Sequence, residues 1–353
     1  MQVPAPADIQ RLEAILAAAG RVAIVVHTHP DGDAVGSGTT LLAYLRRCRG
    51  VEARLLLPDA PPDTLAFLIP PEGVIDAAAE REAAEAWIAQ CDLLCTLDMN
   101  GFYRAEGLEA PLRDCRAPKV LIDHHLHPDL ASFDLVFSED EISSTCELLY
   151  RILLALPGVG EAGRLPLEVL TPLMAGMTTD TNNFANSVFP STLQMASELL
   201  AAGVDRDALL DRLYHNYREN RLRAMGAMLH ERMVIIPEGV ACTVLDRAFL
   251  ERFGLQEGET EGFVNLPLGI DRVQMSIFLR EDEGHFRVSI RSRVGVSANR
   301  LATEAFHGGG HECAAGGKVF YPQDIATPDL AGEYIQAVAA RFMRNEMSRL
   351  RSK

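Results

Sequence analysis

The chain has 353 residues, 49 acidic against 33 basic side chains, and 48% of it is apolar. That is enough for a sizeable core and favours two domains, since single cores usually stop growing near ~250 residues, while 23% charged residues exclude long disorder. A formal charge of −16 argues against a protein that grips long DNA or RNA by covering its phosphates with Lys and Arg.

Ile9, Leu12, Ile15 and Leu16 recur at helical spacing, which predicts a helix capped by Asp8 and ending near Gly20. The β-branched run VAIVV at 22–26 then reads as a strand covered on both faces. It stops at a polar loop, HTHPDGDAVGS, and a helical pattern follows from Gly38 to Cys48. The same rhythm repeats through ARLLL, a helix around 80–90, DLLCTLD, a short helix, KVLID, FDLVF and a helix over 144–154. Strands alternating with helices predict an α/β fold: a mostly parallel sheet with helices on both faces. An apolar helix over 166–177 precedes TDTNNF, and helices over 191–202 and 205–231 form a spacer. From Met233 short strands take over (MVIIP, VACTVL, VQMSIFLR, HFRVSIRSR), and a helix over 329–345 completes a smaller α+β domain. The expected division is 1–190, a helical linker over 191–232, and 233–353.

The cysteines (Cys48, Cys91, Cys95, Cys115, Cys146, Cys242, Cys313) form no C-x-x-C pair and read as small buried residues of a reducing compartment. The N-terminus has no basic segment leading into an apolar run, and no stretch approaches ~20 uncharged apolar residues. A cytoplasmic protein with no membrane contact is expected.

Ligands of parallel sheets sit at the carboxyl ends of strands, and three such ends here carry His and Asp. His27, Asp31 and Asp33 follow the first strand, with Gly32 allowing a tight backbone so that the two carboxylates converge. An Asx turn with a helix-capping Asp accounts for that segment equally well. Asp98 ends DLLCTLD, where loop capping is the plainer alternative, and Asp123, His124 and His125 end KVLID and its continuation. Three adjacent ionisable groups after a β-branched run are hard to solvate unless they face a cleft. Oxygen-rich ligation with imidazoles suits Mn²⁺ or Mg²⁺ better than zinc. Many carboxylates around one cleft call for two cations, which ~3.5–4 Å apart can clamp a phosphoryl oxygen.

HTHPDGDAVGS, the Asp98 strand end, DHH at 123–125, TDT at 179–181 and HGGGHECAAGG at 307–317 resemble, in order, the motifs of the DHH phosphoesterase superfamily and its C-terminal substrate-binding domain. Length and layout are similar to its oligoribonuclease and pAp-phosphatase branch. The resemblance implies that His27, Asp31 and Asp98 hold one Mn²⁺, that Asp33, Asp98, His124 and Asp180 hold the other, and that Asp98 bridges. Mg²⁺ is the alternative metal. It also implies that Asp123 orients a neighbour and that His125 faces the scissile phosphate. In the second domain, Arg291 and Ser292 occupy the family's RS position, implying phosphate or nucleotide contact. The segment His307, Gly308, Gly309, Gly310, His311 lets backbone N–H groups approach an anion, although a tight turn before KVFY explains it as well. Asn299 is a weaker contact candidate, because Asn at a helix start is commonly a cap.

The expected activity is Mn²⁺-dependent hydrolysis of very short oligonucleotides, linear dinucleotides such as pApA, and pAp to mononucleotides. Expected partners are these substrates and no long duplex nucleic acid, with homodimer formation left open. Polyphosphate or pyrophosphate hydrolysis, RecJ-like single-strand exonuclease action and non-catalytic nucleotide sensing are the rival readings. P-loop and serine-hydrolase chemistry are disfavoured, because neither G-x-x-x-x-G-K-[ST] nor G-x-S-x-G occurs.

Overall fold

A computed structural model of the chain describes residues 4–215 and 217–351, and they fall into two units divided between residues 216 and 217. In the first unit the run VAIVV supplies the strand Arg21–Val25 (β1). Ala23 and Val25 enter one apolar cluster with Trp87, Ile88 and Leu112, while Val22 and Ile24 enter another with Leu12, Leu42 and Leu149. Burial on both faces is why the strand is continuously apolar instead of alternating. Five more strands join it: Glu52–Leu57 (β2), Val74–Asp76 (β3), Leu93–Leu97 (β4), Lys119–Asp123 (β5) and Leu135–Ser138 (β6). Their order is β3-β2-β1-β4-β5-β6, parallel throughout. The order reverses between β1 and β4, so the crevice outside the carboxyl ends of those two strands is the ligand-binding position of such a sheet.

The helices of this unit are Pro6–Ala18 (α1), Gly32–Ala43 (α2), Arg81–Gln90 (α3), Glu109–Asp114 (α4), Thr145–Ala155 (α5), Leu167–Asp180 (α6), Pro190–Ala201 (α7) and Arg206–Tyr214 (α8). Asp8 does not cap α1. Ala5 occupies the cap position and Asp8 lies in the first turn, where its charge meets the positive end of the helix. α2 starts at Gly32, well before the expected Gly38, because Asp31 caps it by accepting the Asp33 and Ala34 N–H groups. The expected helix over 205–231 is broken. α8 buries Leu209 and Leu213 in the first unit, whereas Glu219–Ala227 (α9) buries Ala224 in the second. Cys48 is exposed and Cys91 and Cys313 are half-buried, so only four of the seven thiols have the burial expected of them.

The second unit holds Met233–Ile235 (β7), Val240–Leu245 (β8), Arg247–Phe253 (α10), Met275–Asp282 (β9), His285–Ser292 (β10), Ala298–Ala305 (α11), Gly309–Gly310 (β11), Ala314–Phe320 (β12) and Ala331–Arg351 (α12). Its sheet runs β11-β12-β10-β9-β8-β7, antiparallel except for the parallel β8–β9 pair. Leu301, Phe306, Ile335 and Phe342 cover one face against Ile277 and Ile290. Phe249, Phe263, Ala224 and Met228 gather around Phe278 on the other. Among the described residues no helix is long and apolar enough to cross a membrane.

Candidate metal centre

His27 follows β1 and is 6% exposed. Its Nδ1–H donates to the Thr28 carbonyl at 2.8 Å, which leaves Nε2 buried, facing the carboxylates without a hydrogen-bond partner. That nitrogen lies 3.8 Å from Asp31 Oδ1 and 3.4 Å from Asp98 Oδ2. A lone pair aimed at two carboxylate oxygens is repulsive unless a proton or a cation lies between them. A backbone carbonyl fixing the far nitrogen is the usual support of a metal-binding imidazole.

The Asp33 carboxylate accepts the N–H groups of Thr145 at 2.7 Å and Cys146 at 2.9 Å, the first two residues of α5. Those donors have no partner within their own helix, and the helix end favours negative charge. α2 and α6 approach closely through glycines. A Cβ at Gly32 would stand 2.2 Å from Thr179 Oγ1, one at Gly36 2.6 Å from the Pro172 carbonyl, and one at Gly176 2.9 Å from Asp33 Oδ1. Gly32 is therefore required by helix packing, and the tight loop expected between the aspartates is instead the first turn of α2. The packing also brings Asp180, the last residue of α6, to the strand ends.

His124 Nε2 lies 3.8 Å from Asp33 Oδ2, 3.6 Å from Asp98 Oδ1 and 3.5 Å from Asp180 Oδ2. Asp98 thus turns one oxygen toward His27 and the other toward His124. It is held there by Thr145, whose hydroxyl donates to Oδ1 at 3.0 Å, and by its own N–H to the Ile122 carbonyl at 3.1 Å. Its backbone is left-handed, at φ 58°. Such a conformation in a residue other than glycine costs energy and concentrates at functional sites. The ligand atoms of His27, Asp31 and Asp98 lie within 4.8 Å of one another, and so do those of Asp33, His124 and Asp180.

The charges are strongly coupled. Burial pulls the His27 imidazole down, but Asp31 and Asp98 outweigh it and push its pKa up to about 10. Burial opposes ionisation of Asp98, yet His27, His125 and His124 hold it well below the usual carboxylate range. Burial and the charges of Asp98, Asp180 and Asp31 drive Asp33 well above that range. The cluster on its own must therefore retain protons that a divalent cation would replace. Four carboxylates and two imidazoles are a hard donor set. Burial and Asp33 hold the nearby Cys146 thiol protonated, so it adds no thiolate. Both observations fit a pair of divalent cations.

Asp123 is fully buried, and its Oδ1 accepts the His125 Nδ1–H at 2.7 Å. The other ring nitrogen of His125 accepts from Arg104 Nη1 at 2.9 Å. Arg104 carries no motif, and the one available signal is a basic residue in the loop after β4. In the second unit Arg291 is the penultimate residue of β10 and donates to the Ile290 carbonyl at 3.0 Å. The Ser292 hydroxyl donates to the Val296 carbonyl at 2.5 Å. Ser297, not Asn299, caps α11, and Asn299 Oδ1 accepts the Gly310 N–H at 2.9 Å. His307 pairs with Asp324 at 3.0 Å, and His311 closes a turn by donating its N–H to the Ala314 carbonyl. The glycine run is a short edge strand: a Cβ at Gly308 would stand 1.9 Å from the Gly316 carbonyl, and Gly310 has φ 147°.

A doubly wound sheet with these strand-end clusters, followed by this mixed second unit, defines a DHH-type phosphoesterase. Residues 21–177 match the DHH family, N-terminal domain, and 239–339 match the DHHA1 domain. The chain belongs to the DHH family. It is 32% identical over 307 residues to the bifunctional oligoribonuclease and PAP phosphatase NrnA of Thermus thermophilus, covering 86% of each chain. To the protein of that name from Bacillus subtilis it is 27% identical over 305 residues, 84% of this chain and 89% of the relative. The solved structure of an exopolyphosphatase-related protein from Bacteroides fragilis matches with a TM-score of 0.90 at 32% identity, covering 98% of this chain and 99% of that one.

Proposed function

We propose that this chain hydrolyses very short oligonucleotides, linear dinucleotides such as pApA, and pAp to mononucleotides, in the cytoplasm, with two Mn²⁺ ions and with Mg²⁺ as the alternative. The observation that carries the reading is Asp98, whose two oxygens face the two ligand groups at 3.4 and 3.6 Å. In this reading His27, Asp31 and Asp98 hold one cation and Asp33, Asp98, His124 and Asp180 the other. Bound there, two cations would polarise the phosphoryl oxygens and acidify an attacking water. The protein's own part is orientation. Thr28 fixes the tautomer of His27, the N-terminus of α5 holds Asp33, and Asp123 holds His125 next to the reacting phosphorus. Arg291, Ser292, Asn299, His307, Gly308, Gly309, Gly310 and His311 are proposed as the substrate-holding residues of the second unit. The relatives named for oligoribonuclease and PAP phosphatase activity support the substrate class. The charge of −16 supports short substrates, because long strands need broad basic surfaces. The Bacteroides structure, described as exopolyphosphatase-related, makes phosphoanhydride hydrolysis the second reading. Chromatography of products from pAp, pApA, a long oligonucleotide and polyphosphate separates the two. Release of mononucleotide from pApA is expected, and turnover of polyphosphate alone would reverse the ranking.

A further inference from the structure

The loop after β4 places a cation beside the carboxylate cluster. Residues Phe102–Leu108 form a 3₁₀ turn in which the Arg104 carbonyl accepts the Thr28 N–H at 2.8 Å, tying this backbone to the segment that follows His27. The Arg104 side chain donates from Nη1 to His125 Nε2 at 2.9 Å and to the Asp98 main-chain carbonyl at 3.3 Å. The acceptors are a ring nitrogen and a main-chain carbonyl, neither of them a carboxylate. Because Asp123 takes the Nδ1–H of His125, Nε2 carries the lone pair that meets the guanidinium. Many arginines of the chain are instead paired with carboxylates, as Arg49 is with Glu13 at 2.8 Å and Arg232 with Asp246 at 3.0 Å. Among the described residues no carboxylate pairs with Arg104. A half-buried guanidinium with no carboxylate against it keeps its charge for an incoming anion, and its planar fork matches phosphate oxygens.

We propose that Arg104 is a phosphate-binding residue that contacts a non-bridging oxygen of the phosphoryl group presented to the Asp98 cluster, with Asp123 and His125 as the positioning residues that aim it. This rests on the phosphoester reading of the site. The test is titration calorimetry of inorganic phosphate into manganese-loaded wild type, Arg104→Ala and Arg104→Lys, with metal content and thermal midpoint measured on each and kinetics on pApA alongside. Arg104→Ala should keep its metals and midpoint while phosphate affinity falls about 10- to 100-fold, the loss expected for a charge-assisted bond. Arg104→Lys, which keeps the charge but not the fork, should lose less. Wild-type phosphate affinity in Arg104→Ala overturns the proposal. So does a wild type that binds no phosphate, or loss of metal from both variants, which would make Arg104 a support of the cation sites. If wild type leaves pApA and pAp intact while Arg104→Ala still weakens phosphate binding, the phosphoester reading falls and the assignment of Arg104 stands.

Discussion

Replacing Asp98 by Asn removes one charge and almost no volume. The Thr145 hydroxyl can still donate to the retained Oδ1, and the Asp98 N–H bond to Ile122 is untouched, so the fold should persist. What is lost is the single negative charge shared by both ligand groups, facing His27 at 3.4 Å and His124 at 3.6 Å. A unit charge pair at 4 Å is worth about 4 kcal/mol at an effective dielectric constant of 20. That corresponds to about three decades of affinity, and because the carboxylate is shared the loss falls on both cations. Asp98→Asn should therefore emerge from gel filtration depleted of manganese by elemental analysis, show weakened Mn²⁺ binding by calorimetry, and lack measurable turnover of pApA. The reasoning is refuted if a folded Asp98→Asn binds two Mn²⁺ with affinity within roughly tenfold of wild type.

Because the pKa of metal-free His27 is raised to about 10, the ring carries a proton at neutral pH that a cation must expel. Mn²⁺ affinity should rise with pH through the neutral range, and the binding heat should vary with the ionisation enthalpy of the buffer; a buffer-independent heat contradicts this. Gly308→Ala should destabilise the second unit severely, since its Cβ would stand 1.9 Å from the Gly316 carbonyl, whereas Gly309→Ala, 3.5 Å from Asn299 Oδ1, should be tolerated. Thermal melts decide between them, and equal midpoints would show that the edge strand is not constrained as described. Buried Glu147 is opposed by desolvation, but hydrogen bonds from Ser143, Ser191 and Thr192 and the charge of Arg151 hold it below the ordinary carboxylate value. Its stabilisation is therefore complete above ~4.3, the unperturbed value, and is lost as pH falls through the depressed folded value. Glu147→Gln should cost about 1.5–3 kcal/mol at neutral pH, and the gap from wild type should close in acid. A gap that widens in acid would reverse the sign.

The parts of the site that could be read from the sequence are those that a single strand end determines. A strand buried on both faces must be continuously apolar, so the polar residues that break the run, His27, Asp98 and the Asp123–His125 triplet, stand out without knowledge of the neighbours. Contacts made across the fold left no such mark. The amides that hold Asp33 come from Thr145 and Cys146, more than a hundred residues away. The reason for Gly32 is Thr179, on another helix. Arg104 is one basic side chain in a loop, and its meaning depends on His125 lying 2.9 Å away. The break between α8 and α9 falls in a stretch with neither Gly nor Pro, so local propensity did not reveal it. The edge strand β3, three residues long, is too short to show a period.

The central claim, hydrolysis of very short nucleotides at a centre bridged by Asp98, is tested most directly by catalytic efficiency against substrate length in manganese-loaded protein. The account predicts mononucleotide release from pApA and pAp, with efficiency falling steeply by about ten nucleotides because a net charge of −16 disfavours the broad basic surface a long strand requires. Equal efficiency on a dinucleotide and a long single strand would contradict it.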